Sequence, residues 1–173
     1  MTTIRVLLCD ELPVIRDGMR TLLDAEPDVD VIGTTDNGME ALVLVRTARP
    51  DVVLTDLNLR TISGLDMIRR LSQEDVRPNV VVFTRSDTDQ TVSDVLHAGA
   101  SCLLGKDASP QELATAIRAA AAGRTMLAPD IAQRLVTWFR YDHHERIVVE
   151  GRDGSAKTLA FEQIGRASCR ERV

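Results

Sequence analysis

The chain has 173 residues, 44% of them hydrophobic, 27% charged and 3% aromatic, with a formal net charge of −5. That length suits about one domain of 100–200 residues plus a fragment of another, and the apolar share suffices for a core, which excludes wholesale disorder. No apolar run approaches the roughly 18 residues a membrane span needs, and MTTIRVLLCDE meets acid too early for a signal peptide, so a cytoplasmic chain with no membrane partner is expected.

In chain order, five short apolar runs rich in β-branched residues come first: Ile4–Cys9, Val29–Thr35, Val52–Thr55, Val80–Thr84 and Ser101–Leu104. Near-continuous apolar character marks strands covered on both faces, as in a parallel sheet. Helical patterns lie between them. Ile15, Met19, Leu22 and Leu23 share one face, and residues 37–48, 64–72 and 89–97 read as further helices. Ser109-Pro110-Gln111-Glu112 is a capping box with Pro at the first helical position, opening a helix that ends at Gly123. Strands alternating with helices predict a doubly wound α/β domain with a five-stranded parallel sheet.

After Pro129, Asp130 is positioned to cap a linker helix whose Ile131, Leu135, Trp138 and Phe139 share a face. Beyond it come one strand, Ile147–Val149, and an Asp-Gly turn signal. The organisation expected is therefore a domain over 1–125, a linker helix and incomplete connection over 126–163, and a tail over 164–173. That tail, IGRASCRERV, reads as the translation of a DNA-library adapter, with the natural protein continuing past about Gln163.

Charge is uneven: residues 1–130 carry 13 Lys and Arg against 20 Asp and Glu, whereas residues 131–173 carry 8 against 6. Phosphate contacts need clustered cations, so the acidic portion is a poor duplex-DNA binder by itself. Cys9, Cys102 and Cys169 are odd in number and far apart, which argues against a disulfide framework or a four-ligand zinc site. Cys9 and Cys102 read as small buried hydrophobes, Trp138 as packing for the linker helix, and His97, His143 and His144 as surface residues.

Ligands of open α/β sheets bind at the carboxyl ends of the strands. Those ends carry Asp10 and Glu11 after the first, Asp56 after the third, Thr84 after the fourth and Lys106 after the fifth. Carboxylates gathered there repel one another unless a cation sits among them, and hard oxygen donors suit Mg²⁺. A carboxylate beside Mg²⁺ can attack a phosphoryl group, and a Lys and a hydroxyl aimed at the same oxygens would stabilise the transferred charge. Taken singly, Asp at a strand end is a common turn former and Thr a local hydrogen-bonder; the constellation is what points to phosphoryl chemistry.

The stretches VLLCDELPVIRDGMRTLLDAEPDVDVIG, ARPDVVLTDLNL, SGLDMI, VVVFT and HAGASCLLGKDASPQELATAIRAAAAG occur in that order. Across residues 4–125 the chain resembles the receiver domain of two-component response regulators, in the group where a helix-turn-helix domain of the NarL/FixJ/LuxR type follows. The resemblance implies a flavodoxin-like sheet of order 2-1-3-4-5. It makes Asp56 the phosphoacceptor, with Mg²⁺ held by Asp10, Glu11, Asp56 and the backbone carbonyl of Asn58. Thr84 and Leu103 become switch residues and Lys106 the phosphate-contacting cation. The implied partners are a sensor histidine kinase, a second copy of the chain as a candidate, and DNA only through the output domain not seen here. The implied output is transcription regulation. Such a chain is no enzyme beyond catalysing its own phosphorylation and dephosphorylation.

Four positions depart from the family pattern. Leu59 and Arg60 stand where Met-Pro is usual, which frees a φ that proline would fix. Arg85 follows the switch hydroxyl where a small residue is usual, Leu103 replaces an aromatic, and Gly105 replaces a bulkier apolar residue. Arg60 or Arg85 is expected to bring positive charge near the acidic pocket, and Leu103 to weaken coupling between the pocket and the surface around the fifth strand. Three rivals remain. One is a stand-alone receiver acting through protein contacts. Another is an aspartate-nucleophile phosphatase, which would want Asp where Leu12 stands. The last is a flavin domain, which would want a phosphate-cradling loop where Glu11-Leu12-Pro13 stands.

Overall fold

Each of the five apolar runs forms a strand: β1 (Ile4–Cys9), β2 (Val29–Thr35), β3 (Val52–Thr55), β4 (Asn79–Thr84) and β5 (Cys102–Gly105). The computed structural model describes residues 3–74, 77–85, 88–141, 147–150 and 156–159. By contacts the chain divides into two units, residues 1–131 and 132–173. In the first unit all strand pairs are parallel, in the order β2-β1-β3-β4-β5-β6. The expected 2-1-3-4-5 sheet is thus present, extended by the two-residue β6 (Met126–Leu127) beside Cys102 and Leu103. A strand of two residues offers no periodicity, so the sequence carried no sign of it.

Five helices connect the strands: α1 (Pro13–Asp24), α2 (Gly38–Ala48), α3 (Gly64–Leu71), α4 (Asp89–Ala98) and α5 (Pro110–Ala121). Their starts follow from local chemistry. The side chains of Asn37, Ser63 and Thr88 accept hydrogen bonds from first-turn N–H groups of α2, α3 and α4, and Ser109 with Glu112 closes the capping box of α5. α1 has no side-chain cap and begins instead on Pro13. Its buried stripe is Met19 and Leu23 with Ile15 partly covered, whereas Leu22 stands off that stripe and is 45% exposed.

Val6, Leu7, Leu8 and Cys9 of β1 are essentially inaccessible, as are Val52, Val53 and Leu54 of β3. Successive strand residues point to opposite faces, so both faces of the central strands are covered, as their unbroken apolar runs require. Each such side chain contributes about 1.5–3 kcal/mol relative to exposure. Arg118 of α5 reaches across to Asp28 and Glu26, with contacts of 2.6–2.7 Å that tie α5 to the turn before β2.

A helix stands where a linker helix was expected, α6 (Pro129–Tyr141). It starts one residue earlier than expected, so Asp130 is a helical residue and not the cap; proline's fixed φ suits the first helical position. Ile131 is buried, as its face predicted. The side chains of Trp138 and Phe139, residues His143, His144 and Cys169, the Asp-Gly turn and the 164–173 tail lie outside the described residues. In the second unit β7 (Ile147–Glu150) fulfils the expected strand and pairs antiparallel with β8 (Ala156–Leu159), which was not expected.

Candidate functional site

The sheet's hydrogen bonding runs one step past its strands at their carboxyl ends. Asp10 N–H donates to the Thr35 carbonyl (3.1 Å), Asp56 N–H to that of Cys9 (2.8 Å), and Lys106 N–H to that of Thr84 (3.0 Å). Each residue is thereby fixed by its neighbouring strand, and the three side chains converge. Lys106 Nζ donates to Asp10 Oδ2 and to Asp56 Oδ2, both at 2.5 Å. All three side chains are at least 92% covered, with exposures of 8% for Lys106, 0% for Asp10 and 5% for Asp56. The other carboxylate oxygens take backbone donors, Leu12 N–H at Asp10 Oδ1 (2.9 Å) and Leu57 N–H at Asp56 Oδ1 (2.6 Å). Charge-assisted bonds of this kind are what makes burying the carboxylates tolerable.

Thr84 is buried at the end of β4 and lines, with Arg85, Gly105, Lys106 and Asp107, a cavity of about 400 Å³. Arg85 therefore borders the site, as expected. Arg60 does not reach it: its Nε lies 3.4 Å from Asp36 Oδ2, and its side chain is 69% exposed. Glu11 is half-buried and Asn58 exposed, and neither joins the hydrogen-bonded triad. Among the described residues, no three His, Cys, Asp or Glu side chains cluster as a metal centre. Leu103 is buried in β5, in register between Val82 and Leu127.

The donor set nonetheless fits a hard divalent cation. Two buried carboxylates face a single ammonium, so negative charge remains uncompensated, and each carboxylate keeps lone pairs beyond the two donors it receives.

Two features escaped the sequence reading. Arg16 Nη1 donates to the Asp10 carbonyl at 2.5 Å, bracing the β1–α1 loop from within α1. The loop following Asp56 is also bridged to the loop following β2, through Asn37 and Arg60. Both contacts join segments with no periodic relation, so no local pattern announces them. Of the other expectations, His97 is exposed, with its Nδ1 2.8 Å from the Ser93 carbonyl. Cys9 and Cys102 are fully buried, and burial pushes both thiols above their ordinary pKa.

A family model described as the response regulator receiver domain matches residues 6–118. The transcriptional regulatory protein LiaR of Bacillus subtilis (strain 168) is 35% identical over 138 residues, covering 80% of this chain and 65% of LiaR. The nitrate/nitrite response regulator protein NarL of Escherichia coli (strain K12) is 33% identical over 135 residues, covering 78% of this chain and 62% of NarL. The chain thus spans just under two thirds of the length of these relatives. A LuxR-family two-component response regulator from Aurantimonas sp. SI85-9A1 superimposes with a TM-score of 0.75 at 33% identity, over 80% of this chain and 99% of that one. The signal receiver domain of the putative response regulator NarL from Mycobacterium tuberculosis gives 0.69 at 28%, over 72% and 100%.

Proposed function

The chain belongs to the response regulator receiver domain family, and from that premise we propose that it receives a phosphoryl group on Asp56 from a sensor histidine kinase. The observation that carries this reading is the convergence of Asp10, Asp56 and Lys106 at the carboxyl edge of the sheet. Asp56 is the nucleophile: one of its carboxylate oxygens bonds to phosphorus while the bond from phosphorus to the donor's leaving atom breaks, and the leaving atom keeps the electron pair.

Asp10, Glu11, Asp56 and the backbone carbonyl of Asn58 would hold Mg²⁺. When bound, it neutralises charge on the phosphoryl oxygens. Lys106 is already 2.5 Å from Asp56, so its ammonium is in place to follow the charge from carboxylate to phosphoryl oxygen. Thr84 supplies a hydroxyl for another of those oxygens, and the gain favours one of two arrangements of the switch residues Thr84 and Leu103. Hydrolysis of the aspartyl phosphate, assisted by the same groups, resets the protein; this is the extent of its catalysis.

The proposed setting is the cytoplasm; among the described residues no helix is long and apolar enough to cross a membrane. The chain is homologous to LuxR- and NarL-type transcription regulators. We extend this to a whole protein that regulates transcription through a helix-turn-helix domain beyond residue 163. The test is labelling with a small phosphodonor such as acetyl phosphate. Wild type should label with MgCl₂ and not with EDTA, and Asp56→Ala should not label at all. Equal labelling of Asp56→Ala would refute the reading.

A further inference from the structure

We infer that the β2–α2 loop is part of the acidic site, with Asp36 and Arg60 as positioning residues that pre-order the backbone following Asp56 and so strengthen divalent-cation binding. This rests on the cation site proposed above.

Residues 57–63, between β3 and α3, have no regular structure of their own except at residue 60. There Arg60 N–H donates to the Asp36 carbonyl (2.9 Å) and Gly38 N–H donates to the Arg60 carbonyl (3.1 Å), a parallel bridge centred on Asn37. The Arg60 guanidinium closes the same clasp on the Asp36 carboxylate. Two residues upstream is Asn58, whose carbonyl the cation would use. Just beyond the clasp Thr61 has φ of +72°, and next to it Ile62 presses on Gly38 so closely that a Cβ there would lie 2.6 Å away. A non-glycine residue at positive φ is held only where its surroundings fix it. The β2–α2 loop is fixed in turn: Thr35 Oγ1 accepts from Asn37 N–H, and Thr35's carbonyl accepts from Asp10 N–H. The clasp thus links both carboxylate-bearing loops through continuous hydrogen bonds. A cation meeting an ordered loop does not have to order it on binding.

The sign of the effect separates positioning from a simple field. If Arg60 acted only as a nearby positive charge, removing it would tighten cation binding, and removing Asp36 would loosen it. Positioning predicts loosening in both.

The experiment is titration with MgCl₂, followed by the backbone amide NMR shifts of Asp10 and Leu57, in wild type, Arg60→Ala, Asp36→Ala, Arg60→Asp, Asp36→Arg and the charge swap Asp36→Arg/Arg60→Asp. Thermal melting of each variant serves as the check on folding. Each single variant should weaken Mg²⁺ binding about two- to fivefold, the range an exposed ion pair supports. The swap should restore it, with melting temperatures little changed. Unchanged or tighter binding in Arg60→Ala, or a swap as weak as its parents, overturns the inference while leaving the cation site intact. Absence of Mg²⁺ binding in wild type would overturn the cation site itself, and this inference with it.

Discussion

A Cβ placed on Gly64 would lie 2.2 Å from the carbonyl oxygen of Asp56 and 2.8 Å from Cα of Leu57. The first turn of α3 therefore rests directly on the backbone of the proposed acceptor, and Gly64 N–H donates to the Leu57 carbonyl at 2.8 Å. Gly64→Ala must push the acceptor loop or the helix away, at about 1–3 kcal/mol of stability. Gly18, inside α1, has nothing within 4 Å of an added Cβ, so Gly18→Ala should gain about 0.5–1 kcal/mol. Urea denaturation of both variants checks the contrast.

Removing the Lys106 ammonium leaves Asp10 and Asp56 buried without their shared cation. Lys106→Met should cost about 3–5 kcal/mol in EDTA, as breaking a buried ion pair does. MgCl₂ should recover more stability in the variant than it adds to wild type, because the ion then supplies the missing charge. Melting curves with and without MgCl₂ measure both quantities, and labelling of the variant by a phosphodonor should fall sharply.

Arg118 holds the Asp28 carboxyl below the usual carboxylate range, through its hydrogen bond above all. A carboxylate whose folded pKa is depressed contributes stability that is complete above its unfolded value, about 3.9. That stability is lost as pH falls through the lower folded value. Wild type should therefore exceed Arg118→Met in stability at neutral pH, and the two should draw together below about pH 4. Denaturation midpoints across pH 2.5–7 test this; a gap that stays constant into acid would contradict it.

Much of the first unit was written in local pattern. The runs at Val52–Thr55 and Ile4–Cys9 had to be strands covered on both faces, and Ser109 with Glu112 announced the start of α5 because a capping box is a contact within four residues. Asp10, Asp56 and Lys106 were identifiable since parallel sheets gather their strand ends. Part of what stayed hidden was non-local. Nothing near Arg60 indicates that its guanidinium pairs with Asp36, and the bond from Arg16 to the Asp10 carbonyl, though only six residues apart, follows no helical or strand period. β6 was invisible for lack of length. Leu22 was misplaced because helical spacing alone leaves the width of a buried stripe open.

The most direct test of the account is to locate the phosphoryl group. Protein treated with a small phosphodonor and MgCl₂ would be reduced with borohydride, which converts an aspartyl phosphate to homoserine, and then digested for mass spectrometry. Homoserine at position 56, dependent on both donor and MgCl₂, is the predicted result. Homoserine at Asp10 or elsewhere, with Asp56 unmodified, would contradict the assignment of Asp56 as the acceptor.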